Sequence, residues 1–186
     1  MAITINGTGS ITGITAGGYP DATVTADDLA ATLDLTGKTV TLPSGTGGKI
    51  LQVVQTIKSD IFSTASSSFV DVTGLSASIT PSSSSNKILC VVNIGIGTDS
   101  AGTDNLVQVL RGSTEIVANN VLVRTDSTSI CQNWNISVLD SPATTSATTY
   151  KVQVLSEGAA TVKVNSRNSE TAIDGISTIT LMEVAA

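Results

Sequence analysis

From residue 49 onward, short runs of Val, Ile, Leu and Thr alternate with turn residues. The turn signals recur about every ten residues, a spacing typical of β-sandwiches and β-barrels. Residues 75–79 alternate strictly between apolar and serine side chains, which predicts a strand with one buried and one solvated face. We therefore predict a mainly β fold, an antiparallel β-sandwich of jelly-roll type with about nine or ten strands.

The positions of two strands within the sheets can also be predicted. Residues 87–96 are strongly β-branched, which indicates a central strand. Runs near both ends of this region are equally apolar, so the last strand, at 176–184, is expected to pair inside a sheet rather than at its edge. The remaining predicted strands cover residues 49–56, 68–72, 75–79, 106–110, 115–117, 121–123, 130–139, 149–155 and 160–164.

The first 48 residues differ from the rest, because their apolar pieces are too short to bury a core alone. Within them, residues 25–35 predict about two turns of helix, with Thr25 as N-cap and Asp28 three positions later. Leu29 and Leu33 lie on one face of that helix. An isolated helix of this length is not stable in water, so it needs a partner surface, most simply copies of itself.

A glycine-rich joint follows this helical unit. Gly37 is expected to end the unit, residues 38–43 alternate like a short strand, and residues 44–48 read Ser-Gly-Thr-Gly-Gly. We place the domain boundary at the end of this joint. The chain then consists of an N-terminal segment, 1–48, and a β-sandwich domain, 49–186.

Composition excludes several function classes. The chain has no histidine and only 13% charged residues, which removes the usual machinery of acid–base and nucleophilic catalysis. A net charge of −6 with scattered Lys and Arg argues against nucleic-acid binding and polybasic membrane contact. With no membrane-length apolar run and no signal peptide at the start, we expect synthesis in a cytosol. We predict a non-enzymatic structural protein without catalytic residues, cofactor or metal ligands.

Three groups of side chains leave alternatives open. Cys90 and Cys131 are buried thiols acting as small hydrophobes, a disulfide, or reactive thiols. Residues 99–105 contain two aspartates and form either a solvated hairpin connection or a Ca²⁺ site. Trp134 and Tyr150 are either packed in a sheet or exposed to stack on a sugar.

Four passages carry a resemblance to a known group of proteins. They are ITINGTGSITGI at 3–14, the unit at 26–43 followed by GTGGKILQVVQ at 45–55, SFVDVTGL at 68–75 with residues 79–87, and ITLMEV at 179–184. Together they resemble the short tail fibres, head fibres and capsid decoration proteins of bacteriophages, especially marine and cyanobacterial phages. The passages touch most of the chain.

The resemblance implies a homotrimer. Residues 1–48 would form the attachment segment and intertwined stalk, and residues 49–186 the outer knob. The expected trimer interface consists of Leu29, Leu33, Leu35 and Val40. Such a protein would be made in the host cytoplasm, reside in the virion, and be anchored to a capsid or tail protein through its N-terminus. The alternative is a tail-fibre tip or lectin-like module that binds a host surface glycan, and the location on capsid or tail stays open.

Overall fold

The computed structural model describes residues 49–158, 160–167 and 175–186, and for residues 118–122 only the backbone. Every regular element in these ranges is a β-strand. The same ranges contain no helix that could span a membrane. The strands are β1 (Ile50–Lys58), β2 (Phe62–Thr64), β3 (Val70–Ile79), β4 (Lys87–Thr98), β5 (Thr103–Arg111), β6 (Thr114–Thr125), β7 (Gln132–Asp140), β8 (Thr148–Ser156), β9 (Val162–Val164) and β10 (Ser177–Val184). The predicted helix at 25–35 and the predicted domain boundary lie outside the described residues.

The strands form two antiparallel sheets. In the first sheet β1, β10, β4 and β7 lie side by side, β9 also pairs with β4, and β2 pairs with β9. In the second sheet the order is β3, β8, β5, β6. The pairing is nested along the chain, since β1 pairs with β10, β3 with β8, β4 with β7 and β5 with β6. This is the wiring of a jelly roll, so the predicted antiparallel sandwich is confirmed.

The core lies between the two sheets and is almost wholly aliphatic. Along β4 every second side chain, from Ile88 to Ile96, points inward and is buried. Val152 and Val154 of β8 belong to the same cluster and are fully buried. Each such side chain contributes about 1.5–3 kcal/mol relative to an exposed one. The predicted central place of residues 87–96 is confirmed, because β4 pairs with β10 on one side and β7 on the other.

The prediction for the last strand is also confirmed, because β10 lies between β1 and β4. Strand β9 pairs with β4 next to β10, at residues Ile96–Thr98. Residues 165–176 connect β9 to β10. The backbone N–H of Asn165 donates to the carbonyl of Gly95 at 3.0 Å. The Ser177 hydroxyl donates to Asn165 Oδ1 at 2.6 Å and accepts from the N–H of Gly95 at 3.1 Å. Asn165, which follows β9, and Ser177, which begins β10, are thus both hydrogen-bonded to Gly95 of β4. We call this set of bonds the clasp.

Two pairs of predicted strands are each a single strand, and one strand was not predicted. The predicted strands at 115–117 and 121–123 are one strand, β6. Val117 pairs with Val109 and Val121 pairs with Val107, so three residues of β6 lie opposite one residue of β5 in a bulge. The two predicted strands at 68–72 and 75–79 are likewise one strand, β3, with a register shift between Asp71 and Ser76. Strand β2 was missed, because three residues are too few to produce a periodic pattern.

A two-residue turn connects β5 to β6 in a hairpin. Arg111 and Thr114 are paired across it, and Gly112 has φ of +59°. Two-residue hairpin turns need positive φ at the first central position, which glycine adopts without a steric cost. The residues between the predicted strands at 106–110 and 115–117 therefore include a tight turn between adjacent strands.

Candidate functional site

One row of side chains on the outer face of the first sheet is apolar from edge to edge. Strand register aligns Val53 with Met182, Met182 with Leu89, and Leu89 with Leu139. Val53 is 56% exposed and Leu139 is 51% exposed, while the two residues between them are half-buried. We call this row of four residues the apolar band.

Strand β1 extends the apolar surface beyond the band. Ile50, Leu51 and Ile57 are all about half exposed, at 54%, 49% and 59%. Within the described residues β1 pairs with β10 along one side and with no strand along the other. An edge strand of this composition is a template for contact with another protein surface.

The outer face of the second sheet has a different character near its β3 edge. The Gln153 amide and the Lys151 ammonium donate to the carboxylate of Asp71 at 2.6 and 2.9 Å. Gln108 of the neighbouring strand donates to Gln153 in turn. The hydrogen bonds from Gln153 and Lys151 outweigh burial and hold the pKa of Asp71 below its usual range. This network suits a surface that faces water.

A buried carboxylate ties together three distant parts of the sandwich. Glu183 of β10 is 1% exposed. One carboxylate oxygen accepts from the N–H and hydroxyl of Ser82, both at 2.7 Å, and from the amide of Asn86 at 2.6 Å. The other oxygen accepts from the Gln52 amide at 2.6 Å. Burial opposes ionisation, but the bonds from Asn86, Gln52 and Ser82 prevail and lower the pKa of Glu183 to about 2. The carboxylate therefore has a structural role, which the sequence analysis missed.

The two aromatic residues considered for sugar stacking are packed into the sandwich. Tyr150 is fully buried, and its hydroxyl donates to Asp140 at 2.7 Å. Burial, together with this bond, raises the pKa of Tyr150. The Arg111 guanidinium also donates to Asp140, at 2.7 Å. Trp134 is half-buried and packs against the core from β7. Sheet packing is therefore the role of both rings.

The aspartates of the candidate Ca²⁺ loop do not converge. Asp99 accepts a hydrogen bond from the backbone N–H of Thr161 at 2.7 Å, which lowers the pKa of Asp99. Asp104 is paired with Arg124 at 3.3 Å on the outside of the second sheet. Asn105 is fully buried between the sheets. No group of three or more His, Cys, Asp or Glu side chains in the described ranges could hold a metal ion. Residues 99–102 form the connection between β4 and β5.

The two cysteines are thiols and are not bridged to each other. Cys90 is buried on the inner face of β4, where burial and the nearby charge of Asp140 raise the pKa of its thiol to about 12. Cys131 is partly buried just before β7. Cys90 therefore packs as a small hydrophobe.

Cys90 is expected to resist thiol reagents while the protein is folded. At about pH 8 very little of the Cys90 thiol would be ionised, and the thiolate is the reactive form. A Cys131→Ser variant leaves Cys90 as the only thiol, so labelling can be followed directly by mass spectrometry. We expect no label in native buffer and complete labelling in denaturant. Rapid labelling of the native variant would contradict the burial described above.

The residues predicted to form a trimer interface, Leu29, Leu33, Leu35 and Val40, lie outside the described residues. The interface therefore stays a prediction.

No protein-family model matches the chain, and no curated protein matches it. Solved structures that are similar include the infectious bursal disease virus VP2 subviral particle, at 13% identity and a TM-score of 0.43 over 86% of this chain and 46% of that one. The T13 particle of the same virus gives 12% identity and a TM-score of 0.42 over 80% and 40%. Its derived T=1 particles give 13% and 0.41 over 95% and 52%. The chain spans about half the length of these proteins. Similarity at this level does not carry the fold assignment, which comes from the strand pairing.

Proposed function

We propose that this protein is a non-enzymatic structural protein of a bacteriophage particle, a trimeric fibre or capsid decoration protein. Residues 1–48 anchor it to the particle and the β-sandwich is displayed outward. The observation that carries the proposal is the jelly-roll wiring of the described strands, an architecture of viral capsid and lectin domains. This support is at the level of fold. The passages at 3–14 and 45–55 resemble phage fibres. This resemblance favours a structural protein of the virion over a lectin.

The chemistry of the sandwich supports the same proposal. The carboxylates of Glu183 and Asp140 accept hydrogen bonds from other segments of the sandwich and so hold strands together. Tyr150 is fully buried and Trp134 packs against the core with part of its surface covered, which weakens the lectin-like alternative that relied on these two rings to stack on a sugar. A domain whose buried carboxylates hold its own strands together is suited to a building element that binds by its surface.

The trimer is tested on the full chain. Analytical ultracentrifugation should give a mass near three times the 18.8 kDa of one chain. Leu29→Asp should reduce that mass to the mass of a monomer, because a charge on the apolar face of the predicted helix would prevent apolar contact about a common axis. Ser84→Asp, in the exposed turn before β4, is the matched control and should remain trimeric. A wild-type monomer at every concentration would overturn the trimeric assembly.

The location is tested on purified particles. Quantitative mass spectrometry should detect the chain in the virion, on the order of hundreds of copies for a capsid protein and about a dozen for a tail protein. Absence from purified particles would contradict the virion role. Binding to a glycan array would instead favour the receptor-binding alternative.

A further inference from the structure

The apolar band lies at the end of the first sheet where the chain enters it. Val53 is three residues from the start of β1, and Leu139 is the last residue but one of β7. The 48 residues that precede the sandwich join it at this end. If they form the proposed trimeric stalk, three copies of this surface are held near one axis.

The two outer faces of the sandwich differ in a way that indicates which one meets protein. Near β3 the second sheet carries the hydrogen-bonded network around Asp71, which is already complete in one copy. The first sheet carries four apolar residues in one row, and its β1 edge adds Ile50 and Leu51. Exposed apolar surface that is concentrated on one face is typical of an interaction site.

We infer that the apolar band is a contact surface between copies of this chain, in which the β1 side of one knob packs on the β7 side of the next around a threefold axis. The inference rests on the proposed trimer. A threefold ring needs a heterologous interface, in which two different patches of each copy meet. The band supplies both patches, because it runs across the whole sheet from Val53 to Leu139.

The stalk explains why so small a surface would suffice. Chains tethered at one end meet at an effective concentration that reaches the millimolar range. A contact of a few aliphatic side chains, too weak to join free domains, is then occupied. Val53 and Leu139 are about half exposed in one copy, and such a contact would cover this exposed surface.

Cysteine cross-linking tests this contact directly. Within one copy Val53 and Leu139 are separated by three strand spacings, about 14 Å, whereas a disulfide needs Cα atoms about 4.4–6.8 Å apart. A full-length Val53→Cys, Leu139→Cys variant, with Cys131→Ser to remove the partly buried thiol, can therefore form this bond only between copies. Under mild oxidation we expect covalent dimers and trimers on a non-reducing gel, and a single band after reduction.

Matched variants make the result specific. Val53→Cys paired with Ser76→Cys, on the outer face of the second sheet, should stay uncrosslinked, as should each single variant. The same samples are weighed by ultracentrifugation before oxidation. A trimer that yields no cross-link with the Val53–Leu139 pair overturns the knob contact and leaves the proposed function standing. A monomer overturns the trimer itself. Cross-linking of Val53→Cys alone would show a twofold contact between β1 edges and would also overturn the inference.

Discussion

Gly97→Ala is expected to lower the free energy of unfolding by about 3 kcal/mol, because a Cβ atom meets closer neighbours here than at any other described glycine. Gly97 lies in β4 opposite Lys163 of β9. A Cβ atom at this position would overlap the backbone oxygen of Ser166 and lie 3.0 Å from Cα of Arg167. Because both obstacles are backbone atoms, the added methyl group cannot be accommodated by a change of side-chain rotamer. Either β4 or the segment after β9 must move.

The effect can be measured by urea or thermal unfolding, with Gly175→Ala as the matched control. A Cβ atom on Gly175 would meet Sγ of Cys131 at 3.9 Å and Oδ1 of Asn165 at 4.0 Å, which are ordinary contacts. The control should therefore stay within about 1 kcal/mol of the wild type. Equal stability of the two variants would show that the close approach at Gly97 does not exist.

Glu183→Gln is expected to lower the free energy of unfolding by about 2–3 kcal/mol at neutral pH. The side chain keeps its shape, but an NH₂ group replaces one of the two accepting oxygens. At least one of the donors from Gln52, Ser82 and Asn86 then faces another donor in a buried site. Removing the acceptor of a buried donor such as the Asn86 amide costs more than the hydrogen bond alone contributes.

The same variant predicts a pH dependence. Folding lowers the pKa of Glu183 from an ordinary 4.5 to about 2, so its ionised form stabilises the fold fully above pH 4.5. That contribution is lost as the pH falls from 4.5 towards 2. The stability difference between wild type and Glu183→Gln should therefore shrink over this interval. Glu157→Gln, at an exposed site, is the control and should differ little from wild type at any pH. A difference that stays constant down to pH 2 would exclude the proposed role of the charge.

Much of the strand content could be predicted because it is encoded locally. The alternation from Leu75 to Ile79 reports its own buried and exposed faces, and the β-branched run in β4 reports its central place. The wiring could not be predicted in the same way. Which strand pairs with which depends on contacts such as Val53 with Met182, far apart in sequence, and a short run is equally compatible with several neighbours.

The same limit applies to the candidate surfaces. Leu89 and Leu139 look like ordinary strand residues in their own sequence contexts, and only the register places them in one row with Val53. Glu183 interrupts an apolar alternation, which was the available signal that its environment is special. Its donors come from two other segments, so the hydrogen-bonding site itself appears only in three dimensions.

The clasp formed by Gly95, Asn165 and Ser177 has a consequence for insertions. Asn165 and Ser177 are both fastened to Gly95, so the pairing of β9 and β10 with β4 is held by bonds outside the peptide that connects the two strands. Ser166 and Arg167 lie against Gly97 and have to be kept. A short sequence grafted between Arg167 and Gly175 should be carried by the sandwich without altering its strand register, which makes this position suitable for presenting a foreign epitope.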